Sequence, residues 1–168
     1  MTLKRNLIAF LVISILGTIG HFLYEWTGDN QIIGFFFPIN ESTWEHLKLL
    51  FFPTVFYSFV EYFTFRKKPK NYISAVIISV IYGMLAIIVL FYTQKGILGY
   101  SIDFINILIY YISVAMMLSK KQRILNREKF SLNIAQWIFA IIGFIIALLF
   151  IFFTKNPPSL GIFAPPTI

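Results

Sequence analysis

Long apolar runs separated by short blocks of lysine and arginine constrain this chain more than any other feature. The runs cover approximately residues 6–24, 43–65, 73–92, 101–118 and 132–153. Each reaches or approaches the roughly 20 residues that a helix needs to cross ~30 Å of hydrocarbon. Backbone placed in lipid must satisfy its own hydrogen bonds, so the runs are read as helices. The expected fold is all-α: a polytopic membrane helix bundle of about five transmembrane helices. Residues 1–168 form a single transmembrane domain with a Pro-rich outer tail over 155–168. Hydrophobic residues make up 58% of the chain and charged ones 12%, far from the proportions of soluble domains.

The basic residues orient the bundle. Of the fourteen Lys and Arg, eleven (residues 4, 5, 66, 67, 68, 70, 120, 121, 123, 127 and 129) fall on one side of the expected membrane. Lys48, Lys95 and Lys155 fall on the other. This bias predicts the N-terminus inside and the C-terminus outside. It also accounts for the net charge of +7 without a nucleic-acid partner; anionic lipid is the natural contact of such blocks. The absence of cysteine excludes disulfides, thiolate ligands and a Cys nucleophile. Lys4-Arg5 and the run after it also have the outline of a cleaved signal peptide, but the first helix fits the same topology uncut.

Between the first two runs, Gly28-Asp29-Asn30 reads as a turn, and 31–38 is too short to span and too apolar for a free loop. It is expected to be an interfacial or re-entrant element on the outer face, ended by Pro38. Pro53 should kink the second helix or loosen its backbone bonding. Gln94 to Tyr100 is expected to form a short outer turn. Gln136, Ala140, Gly143 and Ala147 make a small-residue packing face.

Both histidines and four of the seven acidic residues lie between positions 21 and 46. The topology brings His21, Glu25, Asp29, Glu41, Glu45, His46 and Asp103 to one outer level. Ser42 and Glu45 have the capping-box spacing, and Glu45 is also within reach of Lys48 one turn on. Capping leaves His21, Glu25, Glu41 and His46 unexplained. Two chemistries suit them. His21 and His46, with Glu25, Glu41 or Glu45, can hold a divalent metal such as zinc, although no contiguous metal motif is present. Without metal, His46 or His21 can act as general base, oriented by Glu41 or Glu45, with water or Ser42 as nucleophile. Asn40, Trp44 and Asp103 are the candidate walls of such a site. Axial haem ligation by the two histidines is a third arrangement, although a structural histidine is the commoner case. Elsewhere, Glu61 stands near Arg66 and Lys67 and is expected to pair at the inner interface, with a transport role as the alternative. Asp103, Asn106, Tyr110 and Ser113 draw one stripe that should face the bundle interior.

The Asn40-Glu41-Ser42-Thr43-Trp44-Glu45-His46-Leu47-Lys48 segment, with His21 and Trp26 ending the first run, resembles a family of small bacterial integral membrane proteins. Its members come mostly from Gram-positive lineages and have no established activity. Pro157-Pro158 and Ile162-Phe163 match its tail, whereas Ala164-Pro165-Pro166 stands where an acidic residue is expected. The resemblance implies a multi-pass protein of the bacterial cytoplasmic (plasma) membrane, and it carries no catalytic roles. The residues favour a His/Glu site at the outer face, that of a hydrolase or transferase acting on a lipid-linked or peptide substrate. The alternative is a non-enzymatic small transporter or channel subunit, or an accessory or immunity protein. Membrane lipids are partners under either reading, and nothing in the sequence sets the oligomeric state.

Overall fold

The computed structural model describes residues 3–127 and 129–165. The end of the tail, residues 166–168, lies outside the described residues. Among those described the chain is helical, without strands: α1 (Leu3–Trp26), α2 (Gln31–Phe36), α3 (Thr43–Phe63), α4 (Tyr72–Leu98), α5 (Asp103–Asn126), α6 (Asn133–Lys155), then a 3-10 turn at Gly161–Phe163. Four of these, α1, α4, α5 and α6, are long and apolar enough to cross a membrane. The fold is a helical membrane bundle.

Helices α1, α3, α4 and α5 surround a common core, to which α6 adds Phe150 as it packs against α4, α2 and α3. The core includes Ile13, Leu50, Val80 and Met117, all without solvent exposure. Gly143 carries the closest approach of α6: a Cβ there would stand 2.6 Å from Ile77 Cδ1. Gln136, one turn into α6, accepts from the Ser74 backbone and donates to its hydroxyl. The small-residue face therefore packs on α4.

Two helices, α4 and α5, run more than one turn past the expected span ends. α4 continues to Leu98, because nothing before Gly99 stops it; Gly99, at φ 80°, forms a left-handed cap whose N–H reaches Lys95 O. The expected turn at Gln94–Tyr100 shrinks accordingly. α5 continues through Lys120 to Asn126, residues that favour helix, and Lys121 is fully buried within it.

α3 differs from its neighbours in being amphipathic toward the inside. Its buried residues include Glu45, Lys48 and Glu61. At one end Lys48 Nζ donates to Glu45 Oε2 (2.6 Å), Gly34 O (2.8 Å) and Thr154 Oγ1 (2.5 Å), tying α2, α3 and α6 together. Glu45 Oε2 also accepts from Ile39 N, which fixes the approach to the helix. The 31–38 segment is thus a short helix, capped by the Asn30 side chain and strapped down by Lys48. At the other end Glu61 pairs with Lys121 of α5 at 2.6 Å, and not with Arg66 or Lys67. Tyr72 OH donates to Glu61 Oε2, and Lys121 Nζ reaches Ser58 Oγ at 3.3 Å. Arg5 donates to Thr64 O at the C-cap of α3 and lies over the Phe65 ring.

The tail folds back onto the bundle. Phe163 packs on Trp44 and Phe153, with ring centroids 4.8 and 5.2 Å apart. Removing one partner of a buried ion pair strands the other, at a cost of about 3–5 kcal/mol. Lys48→Met should therefore lower stability by that order in thermal unfolding of detergent-purified protein. The double variant Glu45→Gln/Lys48→Met should recover most of the loss.

Candidate functional site

The connection between α2 and α3 delivers the site. Asn40 Oδ1 accepts from Ser42 N (2.9 Å), turning the chain, and Ser42 Oγ accepts from Glu45 N (3.3 Å), starting α3. Glu41 projects from this turn, His46 sits one turn into α3, and His21 comes from the last turns of α1. Glu41 Oε2 lies 3.3 Å from His46 Nε2, and its Oε1 lies 4.0 Å from His21 Nε2. The imidazole centroids are 5.1 Å apart. One ligand atom from each residue falls within 4.8 Å of the others.

The tautomer of His46 follows from its surroundings. Nδ1 is 2.9 Å from Ser42 O, which can only accept, so Nδ1 carries the hydrogen. That leaves Nε2 directed at a carboxylate oxygen, two lone-pair atoms that need a positive charge between them. A proton supplies one, and a metal ion supplies another. Donor atoms bound at ~2.1 Å to a tetrahedral ion lie about 3.4 Å apart, close to the His46–Glu41 spacing. His21 Nδ1 is buried without a hydrogen-bond partner among the described residues. The hydrogen bond from His46 holds the Glu41 carboxyl below the ordinary carboxylate range, against the opposite effect of partial burial.

The trio lines a cavity of about 430 Å³ between α1, α3, α4 and α5, with mainly apolar walls. Asp103 and Asn106 border it from α5, and the Asn106 Oδ1 atom is buried and unpartnered. Tyr110 closes the floor. Its hydroxyl is 3.1 Å from Ile13 O and 3.3 Å from Leu49 O. Pro53 has no N–H to offer Leu49, four residues earlier, so that carbonyl is free to accept from Tyr110. Gly17 makes the approach possible, since a Cβ there would meet the Tyr110 hydroxyl at 1.9 Å. Beside this cavity lies another of about 450 Å³, which shares Thr43 and Phe91 with it and is bordered by Lys95, Gly99 and Pro165.

The structure brings His21, Glu41 and His46 together, with Asp103 at the rim of their cavity. Other candidates stand apart. Glu45 follows Glu41 by one turn but precedes His46 by one residue, about 100° around the helix, and faces Lys48. Ser42 is buried, its hydroxyl engaged as a cap. Glu25 is exposed and outside the trio. Trp44 lines neither cavity and packs on Phe150, Phe153 and Phe163. Asn40 is exposed and turned to its own backbone. Gly17, Thr18, Phe91 and Lys95 were not legible as site residues. Only the stripe through Asp103, Asn106 and Tyr110 pointed to the α5 wall.

Two measurements follow. Gly17→Ala should drive Tyr110 from the floor and destabilise the protein by about 1–3 kcal/mol, the usual range for overpacking, read by thermal unfolding. For Glu41, a depressed pKa means stabilisation that is present above the unfolded carboxylate value, ~4.3, and lost as pH falls through the lower folded value. Wild-type melting temperature should therefore fall across that acid window more steeply than that of Glu41→Gln.

Against known proteins, a family model described as a family of unknown function (DUF6512) matches residues 2–166. No curated protein and no solved structure matches. The chain belongs to the DUF6512 family.

Proposed function

We propose that this member of the DUF6512 family is a membrane-embedded hydrolase of the outer leaflet, in which His21, Glu41 and His46 hold a divalent metal such as zinc. One observation carries the reading. With the His46 Nδ1 proton committed to Ser42, Nε2 and the Glu41 carboxylate face each other at 3.3 Å, and the second imidazole stands alongside. Two histidines and a glutamate form the ligand set of catalytic zinc sites, which keep a fourth position open for water. A bound ion of this kind lowers the pKa of its water and polarises a substrate carbonyl or phosphoryl oxygen.

The chain's own residues supply the rest. Ser42 O fixes the His46 ring and its tautomer. The apolar walls around the trio hold a substrate away from bulk water, and the unpaired Asn106 Oδ1 offers a hydrogen-bond acceptor inside the cavity. Counting α3 as a fifth span, the lysine and arginine distribution puts this end of the bundle outside, with the N-terminus in and the C-terminus out. The compartment is the bacterial plasma membrane, and the substrate class is a lipid-linked molecule or a peptide. A transferase would use the same site with a different acceptor.

Elemental analysis of the detergent-purified protein tests this. Wild type and Glu25→Gln should carry about one metal ion per chain. His46→Ala and Glu41→Gln should bind at least ~10-fold more weakly, the lower bound seen when even a residue that merely supports a ligand is lost. Metal-free wild type after exposure to zinc would sink the metal reading. The trio would then be a His46–Glu41 ion pair at the mouth of a non-enzymatic binding site.

A further inference from the structure

The two adjoining cavities differ in a way that specifies an occupant. The one beside the trio is apolar, and its rim includes Phe22 of α1 and Ile107 of α5. These side chains are 42% and 54% exposed, and they belong to the apolar outer surface of the bundle. In a membrane that surface faces lipid, which sets this part of the rim, between α1 and α5, against acyl chains. The second cavity is bordered by Lys95 and by Gly96, Gly99 and Gly161, where an added Cβ would meet nothing within 4 Å. No carboxylate lies within ion-pair distance of Lys95 among the described residues. Thr43 and Phe91 wall both spaces, and Glu41 and His46 line the first of them alongside.

We infer that the two neighbouring cavities together seat an anionic phospholipid entering from the bilayer, with an acyl chain between α1 and α5 and the headgroup phosphate on Lys95. The glycine backbone beside Lys95 leaves room for a headgroup, and the lysine supplies the charge that distinguishes an anionic from a zwitterionic one. The linkage between headgroup and chain then passes Thr43, beside the trio. Asp103 adds negative charge at the rim of the apolar cavity, and Lys95 adds positive charge at the rim of the other, which favours the phosphate at Lys95. As a statement of substrate class this rests on the hydrolase reading above; as a binding site it stands on the cavities alone.

Native mass spectrometry of the full chain in detergent micelles tests the seating. The titrants are dioleoyl phosphatidylglycerol, phosphatidylcholine with the same chains, and glycerol phosphate. Phosphatidylglycerol should bind about fivefold tighter than phosphatidylcholine, the contribution of one lysine against an anionic headgroup. Lys95→Gln should abolish that preference and Lys155→Gln should keep it. Ile107→Trp, a change on the exposed rim, should weaken both lipids. Equal binding of the two lipids, a preference that survives Lys95→Gln, or glycerol phosphate binding as tightly as phosphatidylglycerol would each overturn the assignment. Metal content measured on the same samples separates the two ideas. Metal without lipid preference defeats only this inference, and lipid preference without metal defeats only the hydrolase reading.

Discussion

A charged side chain buried in an apolar bundle needs a partner, and α3 carries three that are buried: Glu45, Lys48 and Glu61. The arrangement of the other helices follows from satisfying them. Lys48 neutralises Glu45 within α3 and spends its remaining donors on Gly34 of α2 and Thr154 of α6. Glu61 draws Lys121 of α5 into full burial and takes the Tyr72 hydroxyl from α4. These two networks sit at opposite ends of one helix and between them touch α2, α4, α5 and α6. Apolar packing alone is non-directional. The paired charges give the bundle a register.

Once those pairs are made, the ionisable groups left over at one end of α3 are His46 and the Glu41 just before it. Left out of those networks, they face His21 and form the candidate site with it. His46 would be an ordinary first-turn residue if α1 did not end beside it with His21, and Glu41, though exposed, is held against the imidazoles where Asn40 turns the chain. The cavity beneath them depends on a second local exception. Pro53 deprives Leu49 O of its helical partner, Gly17 omits a side chain, and Tyr110 fills the gap with a hydroxyl. Loss of one backbone bond in α3 is thus turned into a contact between three helices.

The helical class, the spans of α1 and α6 and the cap at Ser42 were legible because they depend on neighbours in sequence: hydropathy over a window, and a hydroxyl three residues before a carboxylate. The helix ends of α4 and α5 were less so. Basic residues marked an interface for α5 at Leu118, yet Lys121 is buried, since an acid on another helix makes its burial tolerable. Glu61 illustrates the same point from the other side: its nearest cations in sequence are Arg66 and Lys67, and its partner is 60 residues away. Within the candidate site, the concentration of His and Glu between 21 and 46 was visible, but which of five carboxylates and imidazoles converge was not.

What the sequence by itself determined was the solvent of this chain and the end of the bundle where both histidines and most of the acidic residues gather. Both are set by the order of apolar runs, basic blocks and ionisable residues, which no folding step can rearrange. Only the tertiary structure decided that Glu41 joins the histidines while Glu45 turns to Lys48. Glu45 and His46 are adjacent on a helix and point about 100° apart, and packing against α1, α2 and α6 turns His46 toward His21 and Glu45 toward Lys48.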